Sequence, residues 1–193
     1  MNRTRAHQLL VRSLIAILAV IFILLPFHAF LTVWGSSLLG HYTVLRLWKE
    51  VLLVVAGLMA IGIVCLKPKL RQKIVTNHLW RIIALYILVT LVWAGVAYWR
   101  DSVTAKAALY GILINTRFLI MFMIVWVASS QSAWLRRYWQ RLVAYPAALV
   151  VGFGLAQRWL LPYDVLRHFG YGPNTIEPYQ TIDHKVSYLR VMS

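Results

Sequence analysis

Apolar residues run along this chain in five long blocks, and polar residues collect in the short stretches between them. The blocks are Leu9 to Val33, roughly Leu47 to Leu66, Leu79 to Trp99, Ala107 to Val127 and Leu142 to Leu161. A helix of about 20 apolar residues crosses the ~30 Å hydrocarbon core of a bilayer. The pattern therefore predicts an all-α polytopic membrane helix bundle, with residues 1–161 forming about five transmembrane helices joined by short loops and no soluble domain. Residues 162–193 differ in character. They hold Pro162, Gly170, Gly172, Pro173 and Pro178 and three of the five acids, and read as an ordered outer-face loop with turns. From Asp183 onward the spacing of Val186, Leu189 and Met192 predicts an incoming sixth helix, so the chain is expected to continue beyond Ser193.

Local features refine the blocks. Pro26 removes a backbone hydrogen bond and should kink the outer third of the first helix near His28. His28 is either a ligand or proton carrier, or a packed and hydrogen-bonded histidine. The second block has only 16 apolar residues from Val51 to Leu66, roughly 24 Å at the helical rise. The helix must therefore draw Trp48, Lys49 and Glu50 into the interface. Adjacent helical residues point about 100° apart, so Lys49 and Glu50 do not simply pair, and one of them faces the bundle. The stretch Ser129 to Arg141 interleaves Trp134, Leu135, Tyr138 and Trp139 with Arg136, Arg137 and Arg141, as a short helix lying in the interface would. Ala148, Gly152 and Ala156 form a small-residue face suited to close helix packing.

Composition supports the class and settles what the charge means. Of 193 residues 61% are hydrophobic and 13% charged, and mean hydropathy is +0.70, far from the balance of a soluble domain. A net charge of +15 in a soluble protein would point to nucleic acid. Here the placement of the charges points to topology. With the N-terminus in the cytoplasm, 11 of the 20 basic residues lie inside, the densest group being Lys67, Lys69, Arg71 and Lys73, and all five acids lie outside. The expectation is a multi-pass protein of the cytoplasmic membrane, N-terminus inside and C-terminal loop outside, whose basic charge meets anionic membrane lipids and no nucleic acid. Cys65 can form no internal disulfide and reads as packing.

Arg117 is the most informative single residue. It is the eleventh of the 21 residues from Ala107 to Val127, flanked by Asn115 and Thr116. A guanidinium at mid-bilayer costs on the order of 3 kcal/mol on insertion scales and by default marks a functional site facing protein or a wet cavity. The alternatives are a snorkelling arginine or a structural counter-charge. No glycine-rich phosphate loop, metal-spaced histidine or cysteine cluster, or nucleophile elbow is present, so neither a metal nor a cofactor is expected.

Three segments carry a resemblance. Pro26-Phe-His-Ala-Phe-Leu-Thr-Val-Trp34, Trp48-Lys-Glu50, and the stretch from Phe169-Gly-Tyr-Gly-Pro-Asn-Thr175 through Tyr188-Leu-Arg-Val-Met-Ser193 resemble the N-terminal part of bacterial O-antigen ligases and O-antigen polymerases. The resemblance implies the N-terminal portion of a larger, GT-C-like membrane glycosyltransferase of about a dozen helices, inactive as these residues alone. Much of the catalytic machinery would lie in a C-terminal half that is not in this sequence. It further implies a lipid-linked oligosaccharide donor on undecaprenyl pyrophosphate, a glycan or lipid acceptor, and transfer at the outer membrane face. A pyrophosphate leaving group needs fixed cations. Arg117, Lys49 and Arg190 are the candidates on that chemistry, and none matches a defined catalytic position of the family. The competing class is a non-catalytic membrane protein, such as a transporter or flippase piece or an accessory subunit.

Overall fold

A computed structural model describes residues 3–162, 164–172, 175–177, 179–182 and 185–191. The chain is an all-α polytopic helix bundle with one short β-hairpin. Its helices are α1 (Arg3–Leu24), α2 (His28–Leu39), α3 (Tyr42–Leu45), α4 (Trp48–Leu66), α5 (Pro68–Thr76), α6 (His78–Trp99), α7 (Ala105–Gln131) and α8 (Ala133–Trp159). The strands β1 (Tyr179–Ile182) and β2 (Lys185–Val191) follow.

The boundaries have local causes. Leu25–Phe27, with Pro26 in it, is a 3-10 turn separating α1 from α2, as a proline that cannot donate to the helical ladder requires. Gly40 ends α2 in the left-handed conformation (φ 73°), and its N–H donates to the Ser36 carbonyl at 2.8 Å. Pro68 sits in the first turn of α5. Asn77 caps α6 by accepting from the Leu79 N–H at 2.9 Å, and Thr104 caps α7 by accepting from the Ala107 N–H at 3.3 Å. The short second apolar block is accommodated as its length demanded, since α4 begins at Trp48 and includes Lys49 and Glu50.

Among the described residues, four stretches are long and apolar enough to cross a membrane: Arg5–Leu39, Trp48–Leu66, His78–Trp99 and Ala105–Gln131. In His78–Trp99 only 6% of the apolar window is buried. A helix this apolar with so little of it covered is suited to lipid, not water. The expected fifth span, Leu142 to Leu161, falls short of this group. It is the C-terminal part of α8, a 27-residue helix that contains Pro146 and carries Arg136, Arg137, Arg141, Gln157 and Arg158 along its length. The separate interfacial helix expected at Ser129 to Arg141 does not form either. Ser132 alone breaks the chain between α7 and α8, in extended conformation, and the basic aromatic stretch runs on into α8.

The helix expected from Asp183 onward is replaced by a strand. β1 and β2 pair antiparallel, Tyr179 opposite Val191, Gln180 opposite Arg190 and Thr181 opposite Leu189, with a register slip before Ile182. Valine and tyrosine at 186 and 188 have the β propensity that a neighbouring strand exploits. Asp183, Met192 and Ser193 lie outside the described residues.

By contact the chain divides into two compact units. The first is Met1–Ile15 with Leu53–Ala133. In it α6 packs along α7, and Ala56, Ala60 and Ile63 of α4, Ile83 of α6, and Ile124, Val127 and Ala128 of α7 are buried. The second unit is Ala16–Leu52 with Trp134–Ser193. Its core joins Val33 of α2 to Leu166 and Tyr171 of the segment after α8, with Phe30, Tyr42, Phe169 and Ile176 packed around them.

Candidate functional site

The 3-10 turn at Pro26 restarts the helix at His28, so that histidine opens α2 in the second unit. Its ring is half-buried. One turn on, the Thr32 hydroxyl donates to the His28 carbonyl at 2.8 Å and lies 3.4 Å from His28 Nδ1. Lys49, near the start of α4, brings its Nζ to 2.8 Å from His28 Nε2. An ammonium has donors only. A charged Lys49 therefore donates to Nε2, which places the imidazole proton on Nδ1, facing Thr32. The result is a directed network from a half-buried cation through a neutral imidazole to a hydroxyl.

Trp48 completes the group. Its ring lies 6.0 Å from that of His28, tilted by 54°. Its indole N–H is buried and meets no acceptor among the described residues. An unsatisfied buried donor costs about 1–3 kcal/mol. The Trp48 ring and the Lys49 ammonium both lie against His28, at the start of a 19-residue helix whose first turn also carries Glu50. Donor, cation and helix terminus all favour a negatively charged oxygen.

The segment after α8 docks on α2 of the same unit. A 3-10 turn at Val165–Phe169 places Phe169 edge-on against Phe30, 5.2 Å between ring centroids. Gly170 closes that turn at φ +86°, and a Cβ there would stand 2.5 Å from Ser37 Cβ. The segment is tied internally by Thr175, whose hydroxyl donates to the Gly170 carbonyl at 2.8 Å, and by the Gly172 N–H, which donates to the Ile176 carbonyl at 3.0 Å. Burial, with a smaller effect of Tyr42 nearby, pushes the Tyr171 hydroxyl up to about 12, so it stays neutral and packs as part of the core. Residues 164–172 and 175–177 thus form a segment packed on α2.

The three candidate cations fare differently. Lys49 contacts His28. Arg117 is exposed on α7 in the first unit. Thr116, Ile124, Val127 and Ala128 of the same helix are buried, and Arg117, about 100° round from Thr116, falls on the same side as Ile124 and Ala128. Thr116 itself donates to the Ile112 carbonyl at 2.8 Å. Arg190 lies on β2 opposite Gln180, and its side chain falls outside the described part. Trp48 and Thr32 were not singled out as site residues in the sequence. The signal available was the Trp-Lys pair opening a helix and a histidine two residues after a helix-breaking proline. Among the described residues no three His, Cys, Asp or Glu side chains gather as metal ligands.

Comparison of the chain with protein-family models, with curated proteins and with solved structures finds no match in any of the three.

Proposed function

We propose that the Trp48–Lys49–His28 group binds the phosphate of a lipid-linked glycan donor, and that the protein takes part in glycan ligation or polymerisation from undecaprenyl pyrophosphate at the outer membrane face. The observation that carries the proposal is the pairing of the half-buried Lys49 ammonium, fixed at 2.8 Å on His28, with the orphaned Trp48 indole N–H. In such a transfer an acceptor hydroxyl attacks the anomeric carbon and the bond to pyrophosphate breaks. Negative charge then builds on the departing oxygen, where a preorganised cation and N–H donor stabilise it. The resemblance at Pro26–Trp34 and Trp48–Glu50 covers these same residues.

Binding and transfer are tested separately. In nanodiscs the chain should bind undecaprenyl pyrophosphate, and Lys49→Gln should weaken that binding by about tenfold or more, the loss of a charge-assisted hydrogen bond. The same substitution in the chromosomal gene should reduce surface glycan. Unchanged binding by Lys49→Gln overturns the site. Impaired binding with normal surface glycan overturns the transfer role and leaves a non-catalytic lipid-binding protein.

A further inference from the structure

The first unit holds a groove of about 420 Å³ between α4 and α7, within the roughly 300–1,000 Å³ of ordinary ligand sites. Gly57 and Ala60 of α4 form one wall and Ile120 and Ile124 of α7 the other, with Trp80 of α6 at one end. The small residues make the room. A Cβ on Gly57 would stand 3.7 Å from Ile124 Cδ1, so a larger side chain at 57 or 60 would take up the space. The lining is apolar throughout, which by itself would describe a packing defect.

Two further observations give it a ligand. The Trp80 indole N–H is buried and meets no acceptor among the described residues. A purely apolar occupant would leave that donor unsatisfied, whereas one carrying an oxygen would serve it. The second observation is charge. Trp80 meets Trp126 edge-on at 5.2 Å, and Lys73 of α5 sits over the Trp126 ring, Nζ 5.6 Å from its centroid. Lys67, just before α5, and Lys69, Arg71 and Lys73 within it are all exposed, with no acid among them. The groove, a buried donor and Lys73 are thus linked through the Trp80–Trp126 pair.

We infer that this groove is a binding site for an anionic glycerophospholipid: an acyl chain lies between α4 and α7, an ester or phosphate oxygen accepts from Trp80, and the headgroup charge rests against Lys73 and its neighbours on α5. The site is separate from the Lys49 group, since Cys65, which also lines the groove, and Lys49 lie at opposite ends of α4.

Native mass spectrometry of the detergent-purified chain, titrated with phosphatidylglycerol and phosphatidylcholine of identical acyl chains, tests it. Phosphatidylglycerol should bind about fivefold or more tightly, each basic residue near the headgroup counting for about that factor. Trp80→Phe, which keeps the ring and loses the donor, should weaken both lipids about fivefold. Lys73→Gln should reduce the preference for phosphatidylglycerol, and Ala60→Phe should abolish binding of both. Equal affinity for the two lipids overturns the headgroup assignment. Wild-type binding by Trp80→Phe overturns the site, even where Ala60→Phe fails to fold. Undecaprenyl phosphate binding more tightly than phosphatidylglycerol overturns the choice of ligand.

Discussion

Gly170→Ala should release the segment after α8 from α2, and its cost follows from two terms in the structure. The residue sits at φ +86°, where an L side chain costs roughly 1–2 kcal/mol. The added Cβ would also stand 2.5 Å from Ser37 Cβ, an atom fixed to the α2 backbone that cannot swing aside. Forcing a shift in a packed contact costs about 1–3 kcal/mol. The docked segment should therefore lose at least 2 kcal/mol, about thirtyfold in its docking equilibrium. Amide hydrogen exchange reads this directly at Tyr171, Gly172 and Thr175, whose N–H groups donate to Leu166, Ile176 and Gly172. These should exchange about thirtyfold faster while α6 is unchanged. Two other glycines separate the terms. Gly40 has φ +73° and nothing within 4 Å of its added Cβ, so Gly40→Ala measures conformation alone. Gly172 has neither positive φ nor a neighbour within 4 Å, and Gly172→Ala should change little. In Gly170→Ala, adding Ser37→Gly removes the overlap and should recover about half the loss. Unchanged exchange in Gly170→Ala, or no recovery in the double variant, refutes the reasoning.

Topology is tested with cysteines at Thr76 and Thr175 in a Cys65→Ser background: an impermeant thiol reagent on intact cells should label only position 175, because the basic cluster from Lys67 to Lys73 is expected inside. Labelling at 76 alone inverts the orientation, and labelling at both discards it. Arg117→Ala in the chromosomal gene should sharply reduce surface glycan while leaving expression near normal, since removing a cation from mid-span eases insertion. Arg117→Lys should rescue poorly if the planar fork grips phosphate. Normal glycan in a well-expressed Ala variant would leave Arg117 as a snorkelling side chain.

The helical skeleton was legible because its signals are local. Leu79–Trp99 and Ala107–Val127 were expected, and α6 and α7 contain both within a few residues at each end. Pro26 marked the break between α1 and α2, and the short second block forced α4 to begin at Trp48. What failed was decided by partners. Val186, Leu189 and Met192 fit a helical spacing, but pairing with Tyr179–Ile182 made the stretch a strand, and no local pattern names that partner. The basic aromatic run at Ser129–Arg141 has one composition whether it lies alone in an interface or continues into the next helix, and it continues. Arg117 was read from depth, which sequence gives, while which neighbours cover that level of α7 depends on the fold. The Lys49–His28 contact joins residues 21 apart, and only the fold brings them together.

Tryptophan shows how much the neighbours decide. By sequence Trp48 and Trp80 belong to the aromatic belts at the two membrane faces, where water or headgroups ordinarily serve the indole N–H. Both N–H groups are instead buried and meet no acceptor among the described residues. Beside Trp48 stands a cation held on His28, so the fitting acceptor is an anion. Beside Trp80 lies an apolar groove with cations beyond it, so the fitting acceptor belongs to an amphiphile. A donor kept for a ligand has a signature that a structural indole lacks. Trp48→Phe removes the unsatisfied N–H and keeps most of the packing, so the ligand-free protein should be stabilised by about 1 kcal/mol, the order of the desolvation cost relieved. The same change should weaken undecaprenyl pyrophosphate binding by about fivefold. Thermal unfolding with and without ligand reads both effects on one sample. A Trp48→Phe variant that is less stable and binds as well as the parent would show that the indole serves packing alone.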